Sequence, residues 1–209
     1  MKKLSAAFGT LPMTWPVVCA FAAIIGIYVG VINQIPILYD TSFRDIAVSY
    51  EWWVLFAVLI VSNCKNAKEA GLKCLVFFLI SQPVIFLVEL PSIGSDKVLY
   101  YYTKIWLPIT LLPLPGGAIA FYAKKQNALG AVVLSIGNTV VALLGVSYFQ
   151  KLCHSFPRHL LTVVSCAAII AVLLMGMQQK WKTRFLSAAT TLLLTAGVII
   201  WAVLNERVI

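Results

Sequence analysis

The chain has 209 residues, of which 61% are hydrophobic and 11% are charged, and its formal net charge is +9. A soluble domain carries about 25% charged residues, so this composition excludes an ordinary water-soluble fold. The sequence predicts an all-α fold, a polytopic transmembrane helical bundle that forms a single integral membrane domain over residues 1–209.

Seven apolar runs follow one another along the chain, separated by short loops. A helix needs about 20 apolar residues to cross a hydrocarbon core of ~30 Å, and each run approaches this length. None of them alternates in polarity as a membrane barrel strand would. A six-span arrangement is the alternative, because the second run includes Glu51. The predicted spans are Trp15–Ile32, Ile46–Cys64, Cys74–Leu90, Ile105–Ala123, Ala128–Phe149, Leu160–Met177 and Phe185–Leu204.

The basic residues are distributed unevenly between the two sides of these spans. If the N-terminus is cytoplasmic, ten Lys and Arg residues lie inside and six lie outside, as the positive-inside rule requires. This predicts a multi-pass protein of the cell (inner or plasma) membrane with an external C-terminus. Basic loops that face anionic lipid account for the net charge, so the lipid bilayer is the expected partner and nucleic acid is not. The inner set is Lys2, Lys3, Lys65, Lys68, Lys73, Lys124, Lys125, Lys180, Lys182 and Arg184; the outer set is Arg44, Lys97, Lys104, Lys151, Arg158 and Arg207.

The third and fourth spans contain proline beside polar or small residues. The third reads Ser81-Gln82-Pro83, and Pro83 removes one backbone donor from the helix. The fourth has Thr110 followed by a denser set of helix-disturbing residues. Broken helices often form midplane solute sites in transporters, and a kinked helix without a ligand is the alternative. We expect helix breaks at Pro83, Pro113, Pro115, Gly116 and Gly117.

Polar groups recur in the fifth span and at the predicted outer ends of the second and third. Ser135 and Asn138 lie on one helical face, where Asn138 is suited to a ligand contact or to a hydrogen bond between helices. Glu51 and Glu89 lie at outer span ends. They are either solvated interfacial charges or the rim of a vestibule that attracts a cationic or amine-bearing solute.

The sequence shows no constellation of an enzyme, metal site or cofactor site. Both histidines lie in one outer loop, no predicted span contains Asp, and the five cysteines lack metal-ligand spacing. We therefore expect no metal and no cofactor. Intramembrane catalysis is the least favoured function, since it would have to use Glu51, Glu89 and His154.

These observations favour a small membrane transporter or solute-binding membrane subunit with an outward-opening polar cavity in spans three to five. We expect Gln82 and Asn138 to floor this cavity and Glu51 and Glu89 to rim it, because unpaired amides facing lipid cost several kcal/mol. The alternative is a non-transporting accessory, sensory or immunity-type protein with a partner in the membrane. The candidate site residues are Glu51, Ser81, Gln82, Glu89, Thr110, Ser135 and Asn138.

Overall fold

The computed structural model describes residues 8–205, and this part of the chain is helical with no β-strand. Short 3₁₀ turns lie at Pro36–Leu38 and Phe121–Lys124, and a π-helical turn lies at Tyr102–Trp106. The α-helices are α1 (Trp15–Asn33), α2 (Ser42–Val48), α3 (Tyr50–Ser62), α4 (Ala67–Ile93), α5 (Ser95–Tyr101), α6 (Leu107–Leu111), α7 (Pro113–Ala120), α8 (Ala128–His154), α9 (Leu160–Met177) and α10 (Trp181–Leu204).

Seven stretches of the described chain are long and apolar enough to cross a membrane. Five are single helices, namely α1, α4, α8, α9 and α10. The second span combines α2 with α3, and the fourth runs from α5 through α7 to Lys124. The prediction of an all-α bundle with seven spans is confirmed. Lys2, Lys3 and Arg207, which enter the charge count, lie outside the described residues.

Hydrogen bonds join the loops at each end of the bundle. At one end the Lys124 ammonium donates to the Cys64 carbonyl at 2.7 Å. At the other end the Ser42 backbone N–H donates to the Arg158 carbonyl at 2.8 Å. Successive spans therefore alternate in direction. We call these the inner and outer ends, after the charge prediction.

The spans form two groups, with the second span between them. In the N-terminal group, α4 packs against α1 and against the fourth span; in the C-terminal group, α8 packs against α9 and α10. The second span contacts both groups, through α2 on α1 and α9 and through α3 on α4 and α8. The second span therefore connects the two helix groups.

Side-chain caps define where two of the longest helices begin. The Asn66 side-chain oxygen accepts from the Glu69 backbone N–H, and the Glu69 carboxylate accepts from the Lys65 N–H. Asn127 accepts in the same way from the Gly130 N–H at the start of α8. Such caps satisfy donors that have no partner within the helix.

Two glycines allow α1 and α4 to approach closely. A Cβ atom at Gly26 would lie 2.7 Å from the Ser81 carbonyl oxygen, and one at Gly30 would lie 2.8 Å from the Val88 Cβ. Both distances are too short for a real side chain. The Gly26–Gly30 spacing, a small-residue pair of the kind that packs membrane helices, therefore holds α1 against the turn of α4 that contains Pro83.

The prolines disturb the helices less than expected. The helix α4 continues through Pro83, so the break expected there is replaced by the loss of a single donor within one helix. The fourth span is divided at Leu112, where the backbone keeps helical angles (φ −60°, ψ −34°). Pro113 occupies the first position of α7, where a missing N–H costs nothing. Pro115, Gly116 and Gly117 lie inside α7, so no unwound segment is formed there.

The extended interruption lies instead in the second span, at Ser49. Its backbone angles (φ −79°, ψ 156°) separate α2 from α3. The sequence predicted one run over Ile46–Cys64, whereas the span begins at Ser42 and therefore contains Asp45. The expectation that no span contains Asp is corrected accordingly.

Candidate functional site

A cavity of about 160 Å³ lies between α1, α3, α4 and the fourth span. We call it the Glu89 cavity. Its polar lining residues are Asn33, Gln82, Glu89 and Thr110, which come from three different spans. Its aromatic lining residues are Tyr50, Trp53, Phe78, Phe86 and Trp106.

The helix α4 places two of these polar groups on one wall. Gln82 and Glu89 are seven residues apart, a spacing that returns to the same helical face after about 10 Å of rise. Each is only 7% exposed. The cavity therefore extends from the outer end of α4, at Glu89, towards the middle of the span, at Gln82.

The Glu89 carboxylate has a polar neighbour but no cationic partner. The Asn33 side-chain amide donates to its Oε1 at 2.6 Å. Among residues 8–205 no Lys, Arg or His forms an ion pair with it. The nearby Arg44 guanidinium lies over the Tyr39 ring, 4.0 Å from its centroid. Arg44 acts on Glu89 electrostatically without forming an ion pair, so the described chain places no cation directly against this carboxylate.

Gln82 and Thr110, the other two predicted site residues in this cavity, have hydrogen-bonding atoms available to a ligand. The Thr110 hydroxyl donates to the Leu107 carbonyl at 2.7 Å, which leaves its oxygen free to accept. The Gln82 amide forms no hydrogen bond within the described part of the chain. Its donor and acceptor atoms are thus unused by the fold.

The aromatic rings of the cavity pack against one another and against neighbouring rings. The Trp53 and Phe78 ring centroids are 5.4 Å apart, and the Phe86 and Tyr102 centroids are 5.9 Å apart. Packed rings hold their faces in fixed directions, and an aromatic face attracts a cation electrostatically. The cavity therefore combines one anion with several aromatic walls.

The remaining predicted site residues do not line the Glu89 cavity. Asn138 belongs to α8 and is absent from the lining of the Glu89 cavity, so it does not floor this cavity together with Gln82. Asn138 is fully buried, and neither of its amide atoms has a partner among residues 8–205. The Ser135 hydroxyl donates to the carbonyl of its own helix at Val132. Ser81 is fully buried, and its hydroxyl lacks a partner among the described residues.

Glu51 occupies a separate, closed position at the start of α3. It is fully buried, and its Oε1 lies 2.5 Å from the Ser49 hydroxyl oxygen. Its Oε2 is buried without a hydrogen-bond partner in the described chain. The expected rim shared by Glu51 and Glu89 is not formed, because Glu51 is absent from the lining of the Glu89 cavity, to which Tyr50 and Trp53 of the same helix belong.

A network that the sequence did not reveal closes the outer end beside Glu51. The Asp45 carboxylate lies 2.6 Å from His159 Nδ1 and accepts from the Thr162 hydroxyl at 2.9 Å. Asp40 lies 3.2 Å from His159 Nε2 and 3.0 Å from the Arg158 guanidinium. We call these five residues the outer clamp. Arg158, which donates to Asp40, holds the pKa of that carboxyl below its ordinary value of 3.8.

The clamp ties the first outer loop to the start of α9. His159 is only 2% exposed, so the centre of the clamp is shielded from solvent. The described residues contain no group of three or more His, Cys, Asp or Glu side chains that could hold a metal. His154 is exposed near the Gln150 carbonyl, so Glu51, Glu89 and His154 do not form a shared catalytic site.

Comparisons of the chain with protein-family models, with curated proteins and with solved structures found no match. The seven spans define a multi-pass membrane protein that contacts the lipid bilayer. Its role is therefore argued from the two acid sites and their surroundings.

Proposed function

We propose that this protein binds a small organic cation in the Glu89 cavity, as a transporter or as a solute-binding membrane subunit. The observation that carries the proposal is a carboxylate without a cationic partner beside an aromatic-walled cavity within the spans. A charged group in a span is costly, and it usually marks a substrate or ion pathway.

The size of the cavity limits the solute. A dry cavity of about 150 Å³ holds a molecule of the size of benzene, and the Glu89 cavity is of similar volume. Its aromatic walls suit an alkylammonium group, since a cation over an aromatic face gains about 0.5–2 kcal/mol. Gln82 and Thr110 would bind a hydroxyl or N–H group at the other end of the same solute. A compact amine or quaternary ammonium is the solute class that fits.

The fourth span offers a way in and out. Tyr50 and Ile109 line the cavity and are exposed, so the cavity reaches the molecular surface. The fourth span is also the least buried of the seven within the described chain. Elements with few buried contacts are the ones that move most readily. A shift of this span would open or close the cavity without disturbing the contact between α1 and α4.

Binding is tested with choline on the purified protein in lipid nanodiscs. Choline and its neutral carbon isostere, with carbon in place of the quaternary nitrogen, are titrated by calorimetry and by tryptophan fluorescence. Two of the six tryptophans, Trp53 and Trp106, line the cavity. We expect the isostere to bind at least about tenfold more weakly, equivalent to 1.4 kcal/mol. Glu89→Gln should weaken choline binding by a similar factor, while the exposed matched acid variant Asp96→Asn should not. Equal affinity for both compounds, or an unaffected Glu89→Gln variant, contradicts the proposal.

Transport is tested separately in proteoliposomes. Uptake of labelled choline by the wild-type protein, lost in Glu89→Gln and retained in Asp96→Asn, identifies a transporter. Choline binding without uptake identifies a solute-binding subunit that needs a partner.

A further inference from the structure

The cation cavity makes no use of Glu51, although this is the most completely enclosed acid of the described chain. It is 0% exposed and lies in the first turn of α3, directly after the interruption at Ser49. One of its oxygens has a single hydrogen-bond partner, the Ser49 hydroxyl, and the other has no hydrogen-bond partner within residues 8–205.

The groups around Glu51 offer no compensating positive charge. The titratable side chains that interact with it electrostatically are Asp45 from α2, Tyr148 from α8 and Cys166 from α9. The nearest basic residues belong to the outer clamp, where His159 lies between Asp45 and Asp40, and Arg158 pairs with Asp40. None of the ion pairs of the described chain involves Glu51.

We propose that Glu51 is a proton-binding site, which holds a proton in the closed structure and releases it when the junction between α2 and α3 opens. A fully enclosed carboxylate with one hydrogen bond and no cation costs several kcal/mol. The neutral acid avoids this cost. The Ser49 oxygen lies 2.5 Å from both the Asp45 carbonyl oxygen and Glu51 Oε1, and its single proton can be donated to only one of them. A proton on Glu51 Oε1 that is donated to the Ser49 oxygen satisfies both contacts.

Release of the proton breaks the O–H bond of Glu51 and leaves the bonding electron pair on the carboxylate. The proton passes to a water molecule, which becomes hydronium. The new anion then needs water or further donors. The extended backbone at Ser49 allows these to enter, because α2 and α3 share no helical hydrogen-bond ladder across it. Asp40, which is 58% exposed, connects the adjacent outer clamp to the surface.

The same helix connects Glu51 with the Glu89 cavity. Tyr50 precedes Glu51, Trp53 follows it by two residues, and both line that cavity. Opening the junction at Ser49 therefore alters the aromatic wall. Proton release at Glu51 thus changes the affinity for the cation, a consequence that rests on the proposed function. The proton site itself does not rest on it.

The proton site is tested by infrared difference spectroscopy of the full chain in nanodiscs across a pH series without choline. A protonated carboxyl gives a C=O stretching band that shifts in heavy water and disappears on ionisation. We expect Glu51→Gln to lose one such band, whereas Glu89→Gln and Asp96→Asn keep it. An identical set of bands in wild type and Glu51→Gln overturns the proposal.

A milder variant covers the case in which Glu51→Gln does not fold. Ser49→Ala removes the hydroxyl that is hydrogen-bonded to Oε1. It should keep the band but move its frequency and its titration midpoint. A band unaffected in both respects would mean that it does not come from Glu51, and the assignment would be lost.

Choline titrations across the same pH series separate the two proposals. If the two sites are coupled, choline affinity in the wild type changes by about fivefold or more as Glu51 titrates. We expect this pH-dependent change to be missing in Glu51→Gln. Identical pH profiles in the two proteins overturn the coupling. If choline does not bind but the Glu51-dependent band titrates, the proposed function fails and the proton site stands.

Discussion

Glu89 and Glu51 are both buried acids towards the outer end of the bundle, yet their surroundings differ in one decisive respect. Glu89 lines a cavity and receives an amide donor from Asn33. Glu51 is closed in on all sides and has one hydrogen-bond partner, the Ser49 hydroxyl. An acid beside a cavity has room for an organic cation, whereas an enclosed acid has room only for a proton. The empty space beside the carboxyl group, more than the degree of its burial, distinguishes cation binding at Glu89 from proton binding at Glu51.

The N-terminal and C-terminal helix groups also differ in how they use their polar residues. In the N-terminal group, Gly26 and Gly30 bring α1 against α4 and position the polar wall of the cavity. In the C-terminal group, α10 buries Ser187, Thr191 and Thr195 at intervals of four residues. Thr191 donates to the Ser187 carbonyl of its own helix at 2.8 Å. The Ser187 and Thr195 hydroxyls have no hydrogen-bond partner among residues 8–205. We assign solute binding to the N-terminal group because Glu89 and its cavity lie there.

The largest expected contrast is all-or-none and concerns the side of the membrane that the outer end of the bundle faces. Exposed Cys153 at the outer end should react with an impermeant maleimide in intact cells. Buried Cys64 should stay unlabelled from either side, since burial raises the pKa of its thiol. The inner end therefore needs an exposed probe, Lys68→Cys in a Cys153→Ser background. It should react only after the membrane is opened. Reaction in intact cells would reverse the predicted orientation.

Gly30→Leu should damage the cavity and spare the proton site. Its side chain would meet Val88 on α4, and overpacking of this kind costs about 1–3 kcal/mol. We expect a lower melting temperature, weaker choline binding and an unaltered Glu51 infrared band. Gly197→Leu is the matched control, because a Cβ there meets nothing within 4 Å. Equal effects of the two variants would show that the contact between α1 and α4 does not support the cavity.

Asp45→Asn should have the reverse pattern. It removes the charge that His159 and Thr162 share as partners, and a buried polar group left unsatisfied costs about 1–3 kcal/mol. Thermal stability should fall and the Glu51 titration midpoint should move, while choline affinity changes by less than about twofold at neutral pH. A large loss of choline affinity would show that the outer clamp and the Glu89 cavity do not act independently.

The Asp40–Arg158 pair should give the smallest effect, visible only in its pH dependence. Because the pKa of Asp40 is lowered in the folded protein, its stabilising contribution is complete above 3.8 and is lost as the pH falls through the lower folded value. The difference in melting temperature between wild type and Arg158→Gln should therefore be present at neutral pH and vanish in acid. A difference that persists unchanged in acid would assign the effect of Arg158 to packing.

Hydropathy was sufficient to predict the seven spans. Lipid accepts only long apolar segments whose backbone groups are hydrogen-bonded internally, and such segments are recognised from their composition alone. The position of the backbone interruption was not predicted. Proline marked the fourth span, but Pro113 lies at a helix start where no donor is required. Ser49 carries no comparable signal, and its extended backbone accompanies contacts of Asp45 with His159, more than one hundred residues away.

The candidate site was predicted in part for the same reason. Gln82 and Glu89 share a face of one helix, so their meeting in one cavity follows from local spacing. Thr110 joins them because the fourth span packs on α4. The position of Asn138 depends on which helices α8 contacts, and span order alone does not determine that.

The most direct test measures choline affinity by calorimetry in Glu89→Gln and Glu51→Gln side by side, at a pH where the Glu51 infrared band is fully present. We expect choline affinity to fall by at least about tenfold in Glu89→Gln. We expect it to change by less than about twofold in Glu51→Gln, because glutamine resembles the neutral acid. Equal losses in both variants, or a loss confined to Glu51→Gln, would contradict the claim that the acid beside the cavity binds the cation.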